Sequence, residues 1–215
     1  EETNPQQTAT PHAIPLADLL RTHGGDVFRG ILLLTGGTVC IYAVQLFIAP
    51  FAISILHVPT NVSLIAALTG GIVGAIAAPL NGMLSDRFGR KATIFWSRVG
   101  CIVLVVPLYQ WLIASKSVLA LVVLMTILVP LLSLHVVSVV VSIAESFPKH
   151  MRATGVALVY SVGISVFGGI AQPLAVWLTS VLQTPLATAY MVVIACVIST
   201  LGLIGMKDRA GESIS

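Results

Sequence analysis

The sequence predicts an all-α, polytopic membrane protein with six transmembrane helices arranged as two inverted three-helix repeats. Only 9% of the 215 residues are charged, 57% are hydrophobic, and the mean hydropathy is +1.01. A soluble domain would carry roughly a quarter charged residues. The apolar residues form long segments, and about 20 such residues are enough to span a bilayer as a helix. Composition therefore excludes both a soluble globular domain and a disordered chain.

The first three predicted helices are bounded by polar and charged residues. Val27–Phe51 follows a polar, proline-containing segment, Val62–Leu84 ends at a charged loop, and Ala92–Ala114 begins after that loop. Arg98 lies about one turn inside the third helix, and we expect its long side chain to snorkel to the cytoplasmic surface. Glycines recur inside these helices, as is typical where membrane helices pack closely.

The last three predicted helices have similar boundaries. Val118–Ala144 is apolar apart from His135 and a few hydroxyl residues, Ala153–Leu182 follows a second charged loop, and Ala187–Met206 ends at Lys207. Residues 1–26 are predicted as a cytoplasmic linker, with a short helix possible at its end, and residues 207–215 as a cytoplasmic tail. A chain that opens in a linker is expected to be part of a longer polypeptide.

The orientation follows from the distribution of lysine and arginine. With six crossings both termini lie on one side, and that side holds ten of the eleven lysines and arginines, whereas the other holds only Lys116. Positive loops stay in the cytoplasm. Both termini are therefore predicted to be cytoplasmic.

A charged loop separates the second and third helices. Asp86, Arg87, Arg90 and Lys91 place four charges within six residues; Gly82 precedes them and Gly89 lies between Arg87 and Arg90. Glycine permits a tight turn and close helix approach. Taken alone, these charges are compatible with an ordinary cytoplasmic loop whose positive charge only sets the orientation in the membrane.

Two motifs resemble known transporters. Residues 82–91, Gly-Met-Leu-Ser-Asp-Arg-Phe-Gly-Arg-Lys, resemble the loop signature of the major facilitator superfamily. Residues 145–155, Glu-Ser-Phe-Pro-Lys-His-Met-Arg-Ala-Thr-Gly, with Tyr160 and then Phe167-Gly168-Gly169, resemble a run found in metabolite:proton symporters. That family includes citrate, α-ketoglutarate, shikimate and proline/betaine permeases.

The resemblance implies a function and a missing partner. It implies secondary active transport of a small organic solute, a carboxylate or a zwitterion, with protons, by alternating access across the bacterial cytoplasmic membrane. It also implies that this chain is the C-terminal half, helices seven to twelve, whose partner is an N-terminal six-helix half. Ser161 and Gln172 depart from the family pattern, so the solute is not carried over. The alternative is a truncated six-helix membrane protein that transports nothing alone and acts as a partner or remnant.

The charged residues form a predicted cytoplasmic gate. Charges at these positions act as that gate in the superfamily, and a carboxylate between two guanidiniums forms charge-assisted bonds. We expect Glu145 to bridge Arg90 and Arg152, and Asp86 to pack near a helix N-terminus of the missing half. Arg87 belongs to the same predicted gate. The alternative is a set of ordinary interfacial charges, worth about 0–1 kcal/mol each.

Neutral polar residues inside the spans are candidates to line a solute cavity. They are Tyr42, Gln45, Ser138, Tyr160, Ser161, Ser165 and Gln172. Tyr42 and Gln45 are three residues apart and share one helix face, and Ser161, Ser165 and Gln172 share another. Serines also join helices to each other by hydrogen bonds, so both interpretations stay open.

His135 is the one titratable side chain predicted well inside a span. A proton relay is one interpretation, because ionisable groups in membranes are often functional; a neutral histidine bonded between helices is the other. Cys40, Cys101 and Cys196 lack metal-binding spacing and are predicted to be buried small hydrophobes. The sequence contains no catalytic triad, phosphate loop or nucleic-acid patch, so we expect no enzyme, cofactor, metal or nucleic-acid partner.

Overall fold

The computed structural model describes residues 16–204, which form helices joined by short turns. These described residues contain no β-strand, and the predicted all-α class is confirmed. The helices, two of them short π-helical segments, are α1 (Leu16–Cys40), π1 (Ile41–Leu46), α2 (Ile48–Ser54), α3 (Thr60–Phe88), α4 (Arg90–Ser115), α5 (Val118–Ser146), α6 (Arg152–Val162), π2 (Gly163–Gly168), α7 (Gly169–Leu182) and α8 (Ala187–Leu201).

Five helical segments are long and apolar enough to cross a membrane. They are Asp18–Leu46, Thr60–Phe88, Arg90–Ser115, Val118–Ser146 and Arg152–Leu182. The sixth predicted span is helical only over its first 15 residues, as α8. At 1.5 Å per residue α8 is about 22 Å long, which is shorter than a bilayer core of about 30 Å. The chain is thus a polytopic membrane protein, with one helix shorter than the sequence predicts.

The first helix begins at Leu16 rather than at Val27, inside the segment that the sequence predicts as a linker. Its backbone leaves helical geometry at His23, where φ is −126° and ψ is 21°. Asp26 accepts hydrogen bonds at 3.2 Å from both His23 Nδ1 and Arg29 Nη1. The remainder of the predicted linker and the predicted tail lie outside the described residues. The arrangement in two inverted repeats stays a prediction.

The fourth span, α5, has the most central position. It packs against α1, α3 and α4, while α8 packs against α1 and α4. Proline interrupts both α3 and α5, and Asn81 Nδ2 of α3 donates to the Pro130 carbonyl of α5 at 2.9 Å. Ser117 caps the start of α5 by accepting from the Ala120 amide at 3.1 Å. The Asn81–Pro130 bond thus joins α3 to the middle of α5.

Two buried apolar clusters lie inside the bundle. The larger is centred on Phe51, Tyr109 and Met125, and the smaller contains Ile143 and Phe147. Large apolar side chains remain exposed along the spans, including Leu68, Ile76, Trp96 and Val103. Lipid tails are as apolar as leucine, so these exposed faces match a bilayer rather than water.

Candidate functional site

A one-residue turn at Gly89 forms the centre of the charged loop. It ends α3 and precedes α4, with φ 89° and ψ 148°. This region of backbone space is essentially restricted to glycine. The turn places Arg90 at the first position of α4, directly beside the last turn of α3. Gly82 is different, because an added Cβ there would meet nothing within 4 Å in the described part of the chain.

Arg90 is the hub of the charge cluster. It donates to the Asp86 carboxylate across the turn, and its Nη2 lies 3.5 Å from Glu145 Oε1 at the end of α5. The side chains of Arg90 and Glu145 are 11% and 17% exposed, whereas that of Asp86 is 71% exposed. The Arg90–Glu145 pair is therefore the one that solvent screens least. It joins two helix ends that are 55 residues apart in sequence.

A chain of hydroxyl groups lies next to this charge cluster. Arg90 Nη1 donates to Ser85 Oγ at 3.5 Å, Ser85 Oγ is 2.9 Å from Ser138 Oγ, and Ser138 Oγ is 2.9 Å from Thr93 Oγ1. The chain connects α3, α5 and α4. Ser138, a predicted cavity residue, is fully buried in it. This placement corresponds to the helix-joining role that the sequence left open for serines.

The other predicted gate residues are less tied to the cluster. Arg152 begins α6 and makes no ion pair among the described residues, so the expected bridge is present on its Arg90 side only. Its Nε also has no hydrogen-bond partner in that part of the chain. Arg87 is exposed, with its guanidinium 5.7 Å from the Phe88 ring centre. Lys91, which belongs to the predicted loop motif and not to the gate, is exposed at the start of α4.

The second motif has a packing explanation that sequence reasoning missed. Phe147 is 2% exposed, and Gly155 of α6 lies directly against its ring. His23 of α1 meets the same ring edge to face, with centroids 6.4 Å apart. The spacing of eight residues between Phe147 and Gly155 therefore turns the chain back so that α6 starts against the end of α5. The Glu145 carboxylate lies two residues before this anchor.

The two π-helical segments bring part of the predicted polar face together. Tyr42 and Gln45 lie in π1, and an added Cβ on Gly168 of π2 would be 3.0 Å from the Tyr42 ring. Gln45 Nε2 approaches Gly74 of α3, at 3.7 Å from an added Cβ. Tyr42 and Gln45 are half-buried. π-helical turns inside α-helices are frequent at functional sites.

The remaining predicted cavity residues lie along the same chain segment. Ser165 is exposed within π2, Ser161 is exposed one turn earlier, and Gln172 is half-buried in α7. Tyr160 is half-buried and packs beside the smaller apolar cluster. Among the described residues, no hydrogen bond joins any of these four side chains to another protein group. Their polar groups are thus not used in holding the helices together.

His135 is buried at 5% exposure in α5. Its ring fits against Gly37 of α1, where an added Cβ would be 2.7 Å from Cδ2. Neither ring nitrogen has a hydrogen-bond partner in the described part of the chain. The described residues therefore show no hydrogen bond from His135 that would support either the predicted proton relay or the predicted bond between helices.

The snorkelling prediction for Arg98 is wrong. Arg98 is 2% exposed, and its guanidinium donates to the Ser199 carbonyl at 2.7 Å, to Ser199 Oγ at 2.5 Å and to the Leu33 carbonyl at 3.4 Å. Ser199 lies in the last turn of α8, where the helix dipole is negative, and its carbonyl also accepts a hydrogen bond from the Gly202 amide at 3.0 Å. These acceptors turn the side chain inward, between α1 and α8.

Comparison with known proteins agrees with this architecture. The profile of the Major Facilitator Superfamily matches residues 31–213. The chain belongs to that superfamily. Among curated proteins it is 24% identical over 144 residues to the citrate-proton symporter of Salmonella typhi, covering 67% of this chain and 33% of that protein.

Two further relatives match other parts of the chain. The proline/betaine transporter of Escherichia coli (strain K12) is 26% identical over 137 residues, 63% of this chain and 27% of the transporter. The alpha-ketoglutarate permease of the same strain is 26% identical over 219 residues, covering 100% of this chain and 49% of the permease. The chain thus spans half or less of the length of these relatives. Membership of the superfamily makes it an integral membrane protein of a solute-transporting family.

Proposed function

We propose that this chain is the C-terminal half of a secondary transporter that moves a small organic solute together with protons by alternating access. The solute class is a carboxylate metabolite or a zwitterion. The relatives support this class, because they are named for citrate, proline, betaine and alpha-ketoglutarate. The coverage of the alpha-ketoglutarate permease, 49% of its length, supports the half-protein assignment.

The observation that carries the proposal is the Arg90–Glu145 pair. It is 3.5 Å long, largely shielded from solvent, and joins the start of α4 to the end of α5. A charge-assisted bond between helix ends favours the conformation in which those ends are together. In this proposal that conformation is the one closed to the cytoplasm, and Arg87, Lys91 and Arg152 face the other half of the carrier.

The solute-contacting groups in this half are neutral. Tyr42 and Gln45 of π1 and Ser161, Ser165 and Gln172 of α6 to α7 offer hydrogen-bond donors and acceptors without charge. The spans of this chain contain no aspartate or glutamate at their centres. The cation that binds a carboxylate and the main proton-binding group therefore belong to the N-terminal half in this proposal. His135 is the candidate relay of this half.

The proposed location is the bacterial cytoplasmic membrane, with both termini in the cytoplasm. Of the eleven lysines and arginines, nine lie on the side that this places inside, Arg98 is buried within the bundle, and Lys116 lies on the other side. Arg87→Cys and Lys149→Cys should react with a membrane-impermeant thiol reagent in inverted vesicles and not in intact cells. Reaction of either cysteine in intact cells would reverse the topology.

The transport experiment uses the complete gene product that contains this chain. It is reconstituted in liposomes with an inward proton gradient and tested for uptake of citrate, 2-oxoglutarate, proline and glycine betaine. Uptake of one solute that a protonophore abolishes supports the proposal. Uptake that is the same with and without the proton gradient would contradict proton coupling.

The second candidate is a six-helix membrane protein that does not transport alone. The chain by itself, reconstituted in the same liposomes, is the matched comparison. If the complete locus encodes only these helices and no solute accumulates, the carrier proposal fails and this candidate stands.

A further inference from the structure

Three cysteines from three different helices meet inside the bundle. Cys40 ends α1, Cys101 lies in α4 and Cys196 lies in α8, and all three are buried. Their Sγ atoms all lie within 4.8 Å of one another, and those of Cys40 and Cys196 are 3.4 Å apart. Positions 40, 101 and 196 form no spacing motif, so only the packing of α1, α4 and α8 reveals the cluster.

A small cavity of about 10 Å³ opens beside the sulfurs. It is lined by the three cysteines together with Ser97, Arg98 and His135. His135 is 95% buried, on a relative exposure of 5%, and neither of its ring nitrogens has a partner in the described part of the chain. A space of this size holds about one water molecule, and hence also one metal ion.

The sulfur positions fit a shared ion. Sulfurs at about 2.3 Å from one metal, with bond angles between tetrahedral and trigonal, are about 3.8–4.0 Å apart. The observed separations, from 3.4 Å up to 4.8 Å, bracket this value. Side-chain shifts of a few tenths of an ångström would make the three sulfurs equidistant from a central ion.

The donor set selects the class of ion. Structural zinc sites almost always have four ligands. In the described residues no further His, Asp or Glu donor joins the three sulfurs within 4.8 Å. Soft thiolate ligands select Cu(I), which three sulfurs can satisfy. We propose that Cys40, Cys101 and Cys196 form a binding site for one soft monovalent cation of the Cu(I) class.

The charges balance in this site. Binding one Cu(I) ion to two thiolates and one neutral thiol releases two protons to water and leaves the metal centre with one negative charge. Arg98, on the wall of the same cavity, carries one positive charge. A buried centre without such a counter-charge would be costly in the low-dielectric interior. The pairing also gives buried Arg98 an anionic neighbour when the site is filled.

The test uses the complete gene product, purified in detergent under reducing conditions. It is titrated with Cu(I) in the presence of a chromophoric Cu(I) chelator, which reports the ion that the protein removes. The wild type should bind one ion per chain at this site. Cys40→Ser, Cys101→Ser and Cys196→Ser should each lower the affinity at least about tenfold, since even ligand-supporting residues affect metal affinity by 10–100-fold.

Met125→Leu is the matched control. It removes another buried sulfur of the same apolar cluster but leaves the three thiols in place, so its Cu(I) affinity should equal that of the wild type. Failure of the wild type to compete with the chelator would overturn the proposal, as would equal affinity in the three serine variants.

A second measurement keeps the test decisive if the serine variants do not fold. X-ray absorption of the Cu(I)-loaded wild type should show three sulfur neighbours. Nitrogen or oxygen neighbours in place of sulfur would overturn the site. A count of free thiols is the last check. If the protein purified under reducing conditions binds no Cu(I) and has two free thiols fewer than its sequence predicts, a Cys40–Cys196 disulfide is present and the proposed metal site is overturned.

Discussion

Phe147 and Gly155 are in direct contact, and a Cβ added at position 155 would lie 2.7 Å from the Phe147 ring. The ring is buried between α5, α6 and the start of α1, so it has little room to move. Gly155→Ala should therefore lower the free energy of unfolding by about 1–3 kcal/mol through overpacking. The measurement is thermal unfolding in detergent.

Gly71→Ala is the control for this change. Gly71 also lies inside a membrane helix, α3, but an added Cβ there meets nothing within 4 Å. Its melting temperature should match that of the wild type. A normal melting temperature for Gly155→Ala would show that the Phe147 ring can move aside.

Gly89 is required for its backbone conformation. Gly89 has φ 89° and ψ 148°. Alanine at this position should lower the free energy of unfolding by about 1–3 kcal/mol. The same residue positions Arg90, so Gly89→Ala should also slow transport by the complete protein. Gly82→Ala, in the same motif but at a helical, uncrowded position, should leave stability unchanged. Equal stability of the two variants would contradict a strained turn.

The Arg90–Glu145 pair should control opening towards the cytoplasm. Glu145→Gln removes one charge from a pair that is only 11% and 17% exposed. We expect the labelling rate of a reporter, Ser142→Cys, to rise about two- to tenfold, because breaking an ion pair of about 0.5–1.4 kcal/mol shifts an equilibrium by that factor. Ser142 is 5% exposed and lies one turn before Glu145 in α5.

Two variants test whether charge causes this effect. Asp86→Asn should raise the labelling rate less, since Asp86 is 71% exposed and water screens its charge. Exchange of the charges, Arg90→Glu with Glu145→Arg, should restore the rate towards the wild type. If the reporter cysteine is labelled faster in the double variant than in Glu145→Gln, the result would argue against the Arg90–Glu145 pair as a gate.

Ser138 should affect stability rather than solute affinity. It lies fully buried between Ser85 and Thr93 at 2.9 Å from each. Ser138→Ala should lower the free energy of unfolding by about 0.6 kcal/mol and by no more than about 1.7 kcal/mol, the average and the maximum for hydrogen bonds between membrane helices. Ser161→Ala, at an exposed position, should not change stability. If Ser138→Ala changes the KM for the solute but not the melting temperature, Ser138 would have to be assigned to the solute cavity instead.

Tyr42 should affect solute affinity rather than stability. Tyr42→Phe keeps the ring that packs against Gly168 and removes only the hydroxyl, so its melting temperature should stay constant. Loss of a hydrogen bond to solute should raise the KM about two- to tenfold. Tyr109→Phe is the control, because Tyr109 is buried and donates to the Ala43 carbonyl at 3.4 Å. An unchanged KM in Tyr42→Phe would remove Tyr42 from the solute face.

The sequence alone determined the class of protein and the positions of its main segments. Low charge and long apolar runs specify membrane helices wherever they occur in the chain, and four of the spans differ from prediction by only a few residues at their ends. The glycine at position 89 and the charges around it identified the turn and the cluster, because motif spacing is a local property. The resemblance to the superfamily, carried by the same motifs, is likewise confirmed.

Only the tertiary structure decided which side chains meet across helices. Hydropathy reports that a residue lies in a span but not which neighbour its helix presents to it. For that reason Arg98 was expected at the surface but binds the Ser199 and Leu33 carbonyls. The sequence likewise left open whether Ser138 lines a cavity or joins helices, and in the structure its hydroxyl links α3, α4 and α5. The same limit hid the contact between Cys40, Cys101 and Cys196, residues up to 156 positions apart that the packing of α1, α4 and α8 brings together.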